Sequence, residues 1–227
     1  MKEENIMKEA ESNKKKSPRE SFDFYPTPGW CVERLLETGA LSCVSNSSIW
    51  FEPAAGDGRI IKAVRSFHAD NGLCQPTWLA AEIQPRFHES LSKLVESNNI
   101  LIDNFLTLDL AERIQVTPDV IIGNPPYSLA FEFVKRSMEL AAKQIAFLLR
   151  IDFVVSVKKH QWLTENMPDI YVLPNRPSFV RKKTDMANYA WLVWTHKGSD
   201  QGYKQSCGKI EILNLTTKDM RAKYKND

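Results

Sequence analysis

A chain of 227 residues that is 43% apolar has material for one domain with a proper core, and too little for two full domains. Its net charge of +2 permits a polyanionic partner without demanding one. The four cysteines, Cys31, Cys43, Cys74 and Cys207, form no C-x-x-C pair and have no histidine at ligand spacing, so no metal is expected and a reducing compartment suits them.

Residues 1–20 are polar and mixed in charge, with the run Lys14-Lys15-Lys16, and are expected to form a disordered tail. No apolar stretch follows the charged start, and the longest apolar run, 145–157, is cut by Arg150 and Asp152. No membrane span is therefore expected, and a soluble cytoplasmic protein is the default.

From residue 21 the texture changes. Thr27-Pro28 reads as a helix start, a hydroxyl cap followed by proline. Val32, Leu35, Leu36 and Leu41 then recur at helical spacing. Strands are expected over 48–52, 78–83, 100–106, 120–122 and 145–149. Helices are expected between them, over 60–67, 85–97 and 129–142. Alternation of this kind indicates a mostly parallel sheet with helices on both faces. Two further strands, 170–173 and 189–195, are joined through the basic loop 181–188. In Tyr189-Ala190-Trp191-Leu192-Val193-Trp194 both faces are apolar, which makes that strand internal. One α/β domain thus covers 21–198. The extension 199–227 holds an edge strand at 209–213 and a loose end from 216.

Ligands of such sheets bind beyond the carboxyl ends of the strands. After the first strand, Glu52-Pro53-Ala54-Ala55-Gly56-Asp57-Gly58 lets the backbone turn sharply and approach a ligand. It is neither G-x-G-x-x-G nor a Walker loop. After the second strand, Glu82 can accept hydrogen bonds from both hydroxyls of a ribose, or it is a solvated loop acid. After the third, Asp103-Asn104-Phe105 can read an adenine edge, or Phe105 is core and Asn104 a turn.

After the fourth strand comes Asn124-Pro125-Pro126-Tyr127. Consecutive prolines fix the backbone and hold Asn124 extended. The Asn124 side-chain oxygen and the Pro125 carbonyl then form a rigid pair of acceptors beside the Tyr127 ring. An aromatic amine is a poor nucleophile because its lone pair is delocalised. Acceptors on both its N–H groups favour a tetrahedral nitrogen whose lone pair can attack a methyl in line.

With these residues together, the chain resembles the amino-methyltransferases of the class I S-adenosylmethionine fold, Rossmann-like with a central seven-stranded sheet whose last strand is antiparallel. Tyr25-Pro26-Thr27-Pro28 looks like the family's N-terminal cofactor motif, Glu52 to Gly58 like its glycine-rich motif, and Asn124 to Tyr127 like its catalytic motif. Their order is similar to the gamma arrangement of DNA adenine-N6 methyltransferases. Asn175-Arg176-Pro177-Ser178-Phe179, Lys183-Thr184-Asp185 and Tyr189-Ala190-Trp191 look like small methyltransferases of phages and prophages, whose roles include protection from restriction.

The resemblance implies S-adenosyl-L-methionine as cofactor. Tyr25, Thr27 and Pro28 would hold its methionine part. Glu52, with Pro53, Ala54, Gly56 and Asp57, would face its ammonium group, and Glu82 with Ile83 its ribose. Asp103, Asn104 and Phe105 would hold its adenine, although many relatives have Asp where this chain has Asn104. Asn124, Pro125, Pro126 and Tyr127 would be catalytic, and the flipped target base would stack between Tyr127 and Phe179. Lys158, Lys159, Arg181, Lys182 and Lys183 would contact phosphates. DNA is the implied partner. The stretch between Tyr127 and Phe179 has room for a helix, a strand and another helix only, so target selection would fall to short loops, a homodimer or a partner subunit. RNA bases (adenine N6 or guanine N2), a protein glutamine amide, or cofactor binding without catalysis are the other readings.

Overall fold

The computed structural model describes residues 24–41, 47–179, 186–198, 202–203 and 208–224. Eight strands form one sheet in the order β3-β2-β1-β4-β5-β7-β6-β8. They are β1 (Ile49–Glu52), β2 (Thr77–Glu82), β3 (Ile100–Ile102), β4 (Val120–Gly123), β5 (Gln144–Arg150), β6 (Asp169–Val172), β7 (Tyr189–Thr195) and β8 (Ile210–Ile212). β7 runs antiparallel to both of its neighbours, β5 and β6; every other pairing is parallel. The expected seven strands are present, and the suspected edge strand is β8, which adds an eighth parallel to β6.

Helices cover both faces. On one face α1 (Gly29–Leu36), α2 (Arg59–Asp70) and α3 (His88–Ser92) pack on Trp50, Trp78, Leu148, Trp191 and Val193. On the other, α5 (Ala130–Met138) and α6 (His160–Glu165) pack on Phe51, Phe147, Leu192 and Trp194. A four-residue helix, α4 (Leu110–Arg113), lies between β3 and β4. β7 shows why both of its faces are apolar: Trp191 and Trp194 are fully buried in opposite cores. Their indole N–H groups donate to the carbonyls of Cys31 and Asn166, each at 2.8 Å, so neither ring buries an unpaired donor.

Three local expectations give way to competing hydrogen bonds. The helix expected over 85–97 breaks into a 3₁₀ turn, Pro85–Phe87, and the short α3. There the hydroxyls of Ser90 and Ser92 donate to carbonyls three residues back, which draws the backbone away from regular helix. The third strand stops at Ile102 because the Asn104 side chain accepts the Leu106 N–H at 3.1 Å and closes a turn. Thr27 does not cap α1. Pro28 occupies the cap position with extended backbone and no side-chain bond, and the Thr27 hydroxyl is used elsewhere, as shown below.

The segment from 216, expected to be loose, instead holds α7 (Lys218–Lys223), capped by the Thr217 hydroxyl on the Met220 N–H. Lys223 ties it to Asp70 of α2 at 2.9 Å and Glu33 of α1 at 3.4 Å. The Tyr224 ring lies so close to Gly29 that an added Cβ would sit 2.2 Å from its Cδ1. Gly29→Ala should therefore destabilise by about 1–3 kcal/mol, as overpacking does. Thermal denaturation should show roughly 2–4 °C lost per kcal/mol. In a Tyr224→Ala background that loss should vanish; if it persists, the ring is not its cause.

Candidate cofactor and substrate site

A cavity of about 680 Å³ opens at the carboxyl ends of β1 to β5. Phe24, Tyr25 and Thr27 wall it on one side. The end of β1 contributes Glu52, Pro53, Ala54, Gly56 and Asp57, and the end of β2 Glu82, Ile83 and Gln84. Asp103, Asn104 and Phe105 follow β3, Asn124, Pro126 and Tyr127 follow β4, and Arg150 ends β5. The structure thus brings together most of the residues singled out by motif. Pro28, Pro125 and Phe179 do not line this cavity, nor do Lys158 and Lys159. Lys159 instead lies 4.3 Å over the Phe153 ring, where burial pushes its pKa down. Arg181, Lys182 and Lys183 fall outside the described residues.

The glycine loop is held by the carboxylate of Glu82. Its Oε2 accepts the Gly56 N–H at 2.7 Å and its Oε1 the Gln84 N–H at 2.8 Å. A carboxylate has about four acceptor sites, so capacity remains for another donor. Burial raises the Glu82 pKa, and the backbone bonds oppose that rise. Gly56 sits at φ +52°, and an added Cβ would meet the Phe24 ring at 2.6 Å. Phe24 therefore roofs the loop at a distance that only glycine allows.

Glu52 is 2% exposed. Its Oε2 is buried and has no hydrogen-bond partner among the described residues. Burial first, then the charges of Asp57 and Glu82, push its pKa well above the usual carboxylate range. A buried acceptor beside two more acids is costly when empty and is relieved by a cation. The cofactor end of the cavity therefore fits a ligand bearing an ammonium group, with hydroxyls or other donors for the free lone pairs of Glu82.

Asn124 has the opposite arrangement. Its Nδ2 donates to the Tyr25 carbonyl at 3.2 Å and to Thr27 Oγ1 at 3.0 Å. A carbonyl can only accept, so this contact fixes which way the amide points. Its Oδ1 is buried and has no partner among the described residues. The Tyr25–Thr27 segment thus clamps the nitrogen end of the amide and leaves the oxygen end as a spare acceptor. Sequence reasoning assigned Thr27 to capping and cofactor contact. It missed this clamp, because the partners lie 97 and 99 positions away.

Four aromatic rings gather beside Asn124. Tyr25 lies nearly parallel to Tyr127 at 5.9 Å between centroids, with 18° between planes. Phe179 meets Tyr127 edge-on at 6.4 Å and Tyr189 edge-on at 5.1 Å. Phe179 is buried, at 6% exposure. Phe105 packs against Phe51 at 5.6 Å and Phe133 at 5.3 Å while touching the cavity, so it serves the core and the site together. Among residues not singled out from the sequence, Phe24, Gln84 and Arg150 also line the cavity. Arg150 carried a signal: a cation closing an apolar strand sits at a carboxyl end.

Among the described residues no cluster could hold a metal ion, and no helix is long and apolar enough to cross a membrane. No protein-family description and no curated protein matches the sequence. Solved structures do match in shape. One is described as a class I S-adenosylmethionine-dependent methyltransferase from Listeria monocytogenes (TM-score 0.60, 15% identity, 94% of this chain and 72% of that one). Another is the methyltransferase subunit of a type I restriction-modification system from Streptococcus thermophilus (TM-score 0.59, 13% identity, 86% of this chain). The chain spans 51% of that subunit's length. A third is described as an RNA methyltransferase from Pyrococcus horikoshii (TM-score 0.54, 15% identity, 86% of this chain and 98% of that one). At such identities the likeness is one of fold: the chain has the Rossmann-like fold of class I methyltransferases.

Proposed function

We propose that the protein transfers a methyl group from S-adenosylmethionine to the exocyclic N6 amine of adenine in DNA. The single observation that carries this reading is the Oδ1 of Asn124, buried with no partner among the described residues and held in place through the bonds of its own amide nitrogen. The Glu52 oxygen, without a partner among the described residues, supports the cofactor, because a methionine ammonium would supply both a donor and a positive charge there. Bound S-adenosylmethionine supplies an electrophilic sulfonium methyl. Asn124 Oδ1 accepts one N–H of the target amine and favours a tetrahedral nitrogen, whose lone pair is withdrawn from ring conjugation and free to attack the methyl. Once methylated, that nitrogen is strongly acidic. Its proton stays on the Asn124 hydrogen bond until it passes to solvent, so no carboxylate base is needed.

The target base is extruded and stacks on Tyr127, with Phe179 opposite. A sandwiched ring needs parallel faces roughly 7 Å apart, two contacts of about 3.5 Å. Tyr127 and Phe179 stand 6.4 Å apart and 61° from parallel, so base entry turns one of them. Phe179→Leu keeps most of the buried volume and removes the ring face. It should raise KM for DNA about ten-fold, the lower part of a stacking contribution, with cofactor affinity unchanged in a binding titration. Equal losses in both would argue against stacking. Selection of the target site falls to short loops or to a second subunit.

Labelled cofactor incubated with plasmid DNA, structured RNA and polypeptide substrates decides the substrate class. The expected product is N6-methyladenine in DNA. Label in RNA or in glutamine side chains alone would overturn the DNA reading and leave the role of the Asn124 acceptor in place. Cofactor binding without transfer to any of them would overturn catalysis.

A further inference from the structure

We propose that Arg150 is the phosphate-binding residue of the substrate end, paired with Asp152 in the free protein and released to a phosphodiester of the extruded nucleotide. The inference rests on the nucleic-acid reading above. Arg150 is the last residue of β5 and pairs directly with Tyr189, the first of β7. In an antiparallel pair such partners project from the same face, with Cβ atoms about 4.5–5.5 Å apart. Tyr189 in turn touches the Tyr127 ring at 5.5 Å and the Phe179 ring at 5.1 Å. Arg150 therefore stands beside the aromatic group proposed to take the base, and it lines the same cavity as Asn124.

Charge points the same way. The cavity carries Glu52, Asp57, Glu82 and Asp103 at its cofactor end, where Arg59 is bound to Asp57 at 2.9 Å. Arg150 is the cation at the other end. Its guanidinium is about half exposed and makes one contact among the described residues, Nη2 to Asp152 at 2.9 Å. The Asp152 carboxylate is itself three-quarters exposed. An exposed pair of this sort contributes little to stability, so the remaining N–H donors can be redirected at little cost. A guanidinium fork matches two phosphate oxygens, and such a contact positions a nucleotide without reading its base. A phosphate gripped here would hold the strand at the mouth while the base enters among the rings.

The test compares wild type with Arg150→Gln, Arg150→Lys and Asp152→Asn, using fluorescence anisotropy on DNA and RNA oligonucleotides, steady-state methylation and a cofactor titration. Arg150→Gln should raise KM and Kd for the nucleic acid about ten-fold. It should also lower the slope of log affinity against log salt by about 0.9, one phosphate contact. Cofactor affinity should not change. Arg150→Lys should keep the slope, and Asp152→Asn should bind about three-fold more tightly at low salt. If wild type methylates nucleic acid and Arg150→Gln keeps its salt slope and KM, this assignment falls while the proposed function stands. If wild type neither binds nor methylates nucleic acid, the proposed function falls and takes the assignment with it.

Discussion

Asn124→Ala is expected to lower the rate of methyl transfer about 10²–10³-fold, the usual consequence of removing one preorganised polar group from a reacting centre. Cofactor affinity should stay within about five-fold, under 1 kcal/mol. The separation follows from the two ends of one amide. The oxygen is buried with no partner among the described residues, in a residue that lines the cavity, whereas the nitrogen only clamps the Tyr25–Thr27 segment. Asn124→Asp is a sharper probe. It would set a carboxylate against the Tyr25 carbonyl, which can accept but not donate, in a cavity that already holds four acids. It should lose activity to a similar extent and lower thermal stability, which Asn124→Ala does less. Single-turnover rates with saturating cofactor make the comparison. Near-full activity in the alanine variant would mean that the acceptor is not at the reaction.

Glu52→Gln should separate binding from stability in opposite directions. Removing one partner of a buried charge pair costs about 3–5 kcal/mol, so cofactor affinity should fall roughly 10²–10⁴-fold. The free protein should nevertheless become more stable, because a buried carboxylate with one oxygen lacking a partner among the described residues is replaced by a neutral amide. A gain of about 1–3 kcal/mol is the scale for one unsatisfied buried group.

The sign with pH follows from the raised pKa of Glu52. A carboxyl whose pKa is raised on folding favours the folded state at low pH, and that contribution is lost as pH rises through the folded-state value. The advantage of Glu52→Gln over wild type should therefore appear at neutral pH and fade on acidification. Cofactor affinity of the wild type should fall on the same acidification, since a protonated Glu52 no longer attracts a cation. Melting curves and binding titrations across pH check both. A less stable Gln variant at neutral pH would show that the carboxylate is satisfied in the free protein.

The succession of strands and helices along the chain and the internal place of β7 were legible because alternation and two-sided burial are properties of short sequence windows. Glu52, Glu82 and Asn124 were found because each lies at the carboxyl end of a strand. Their hydrogen-bond states were not legible. Gly56 and Glu82 are 26 positions apart, and which oxygen remains unpartnered depends on the closed loop. Phe179 reads as a stacking face in sequence, yet it meets Tyr127 and Tyr189 edge-on in the core. Apolar spacing alone does not say which side of a ring stays open. α3 was overextended because helical periodicity takes no account of serines that bond their own backbone.

The placing of β7 governs how the chain can be assembled. Its two neighbours, β5 and β6, are both made before it, and six of its seven residues end up buried between them. While the ribosome is still short of Tyr189, each of those strands carries a row of unanswered amides and carbonyls along the side the missing strand will fill. Translation halted in that interval would release a polypeptide with an apolar wall and two sticky margins, prone to associate with its own kind before it could close.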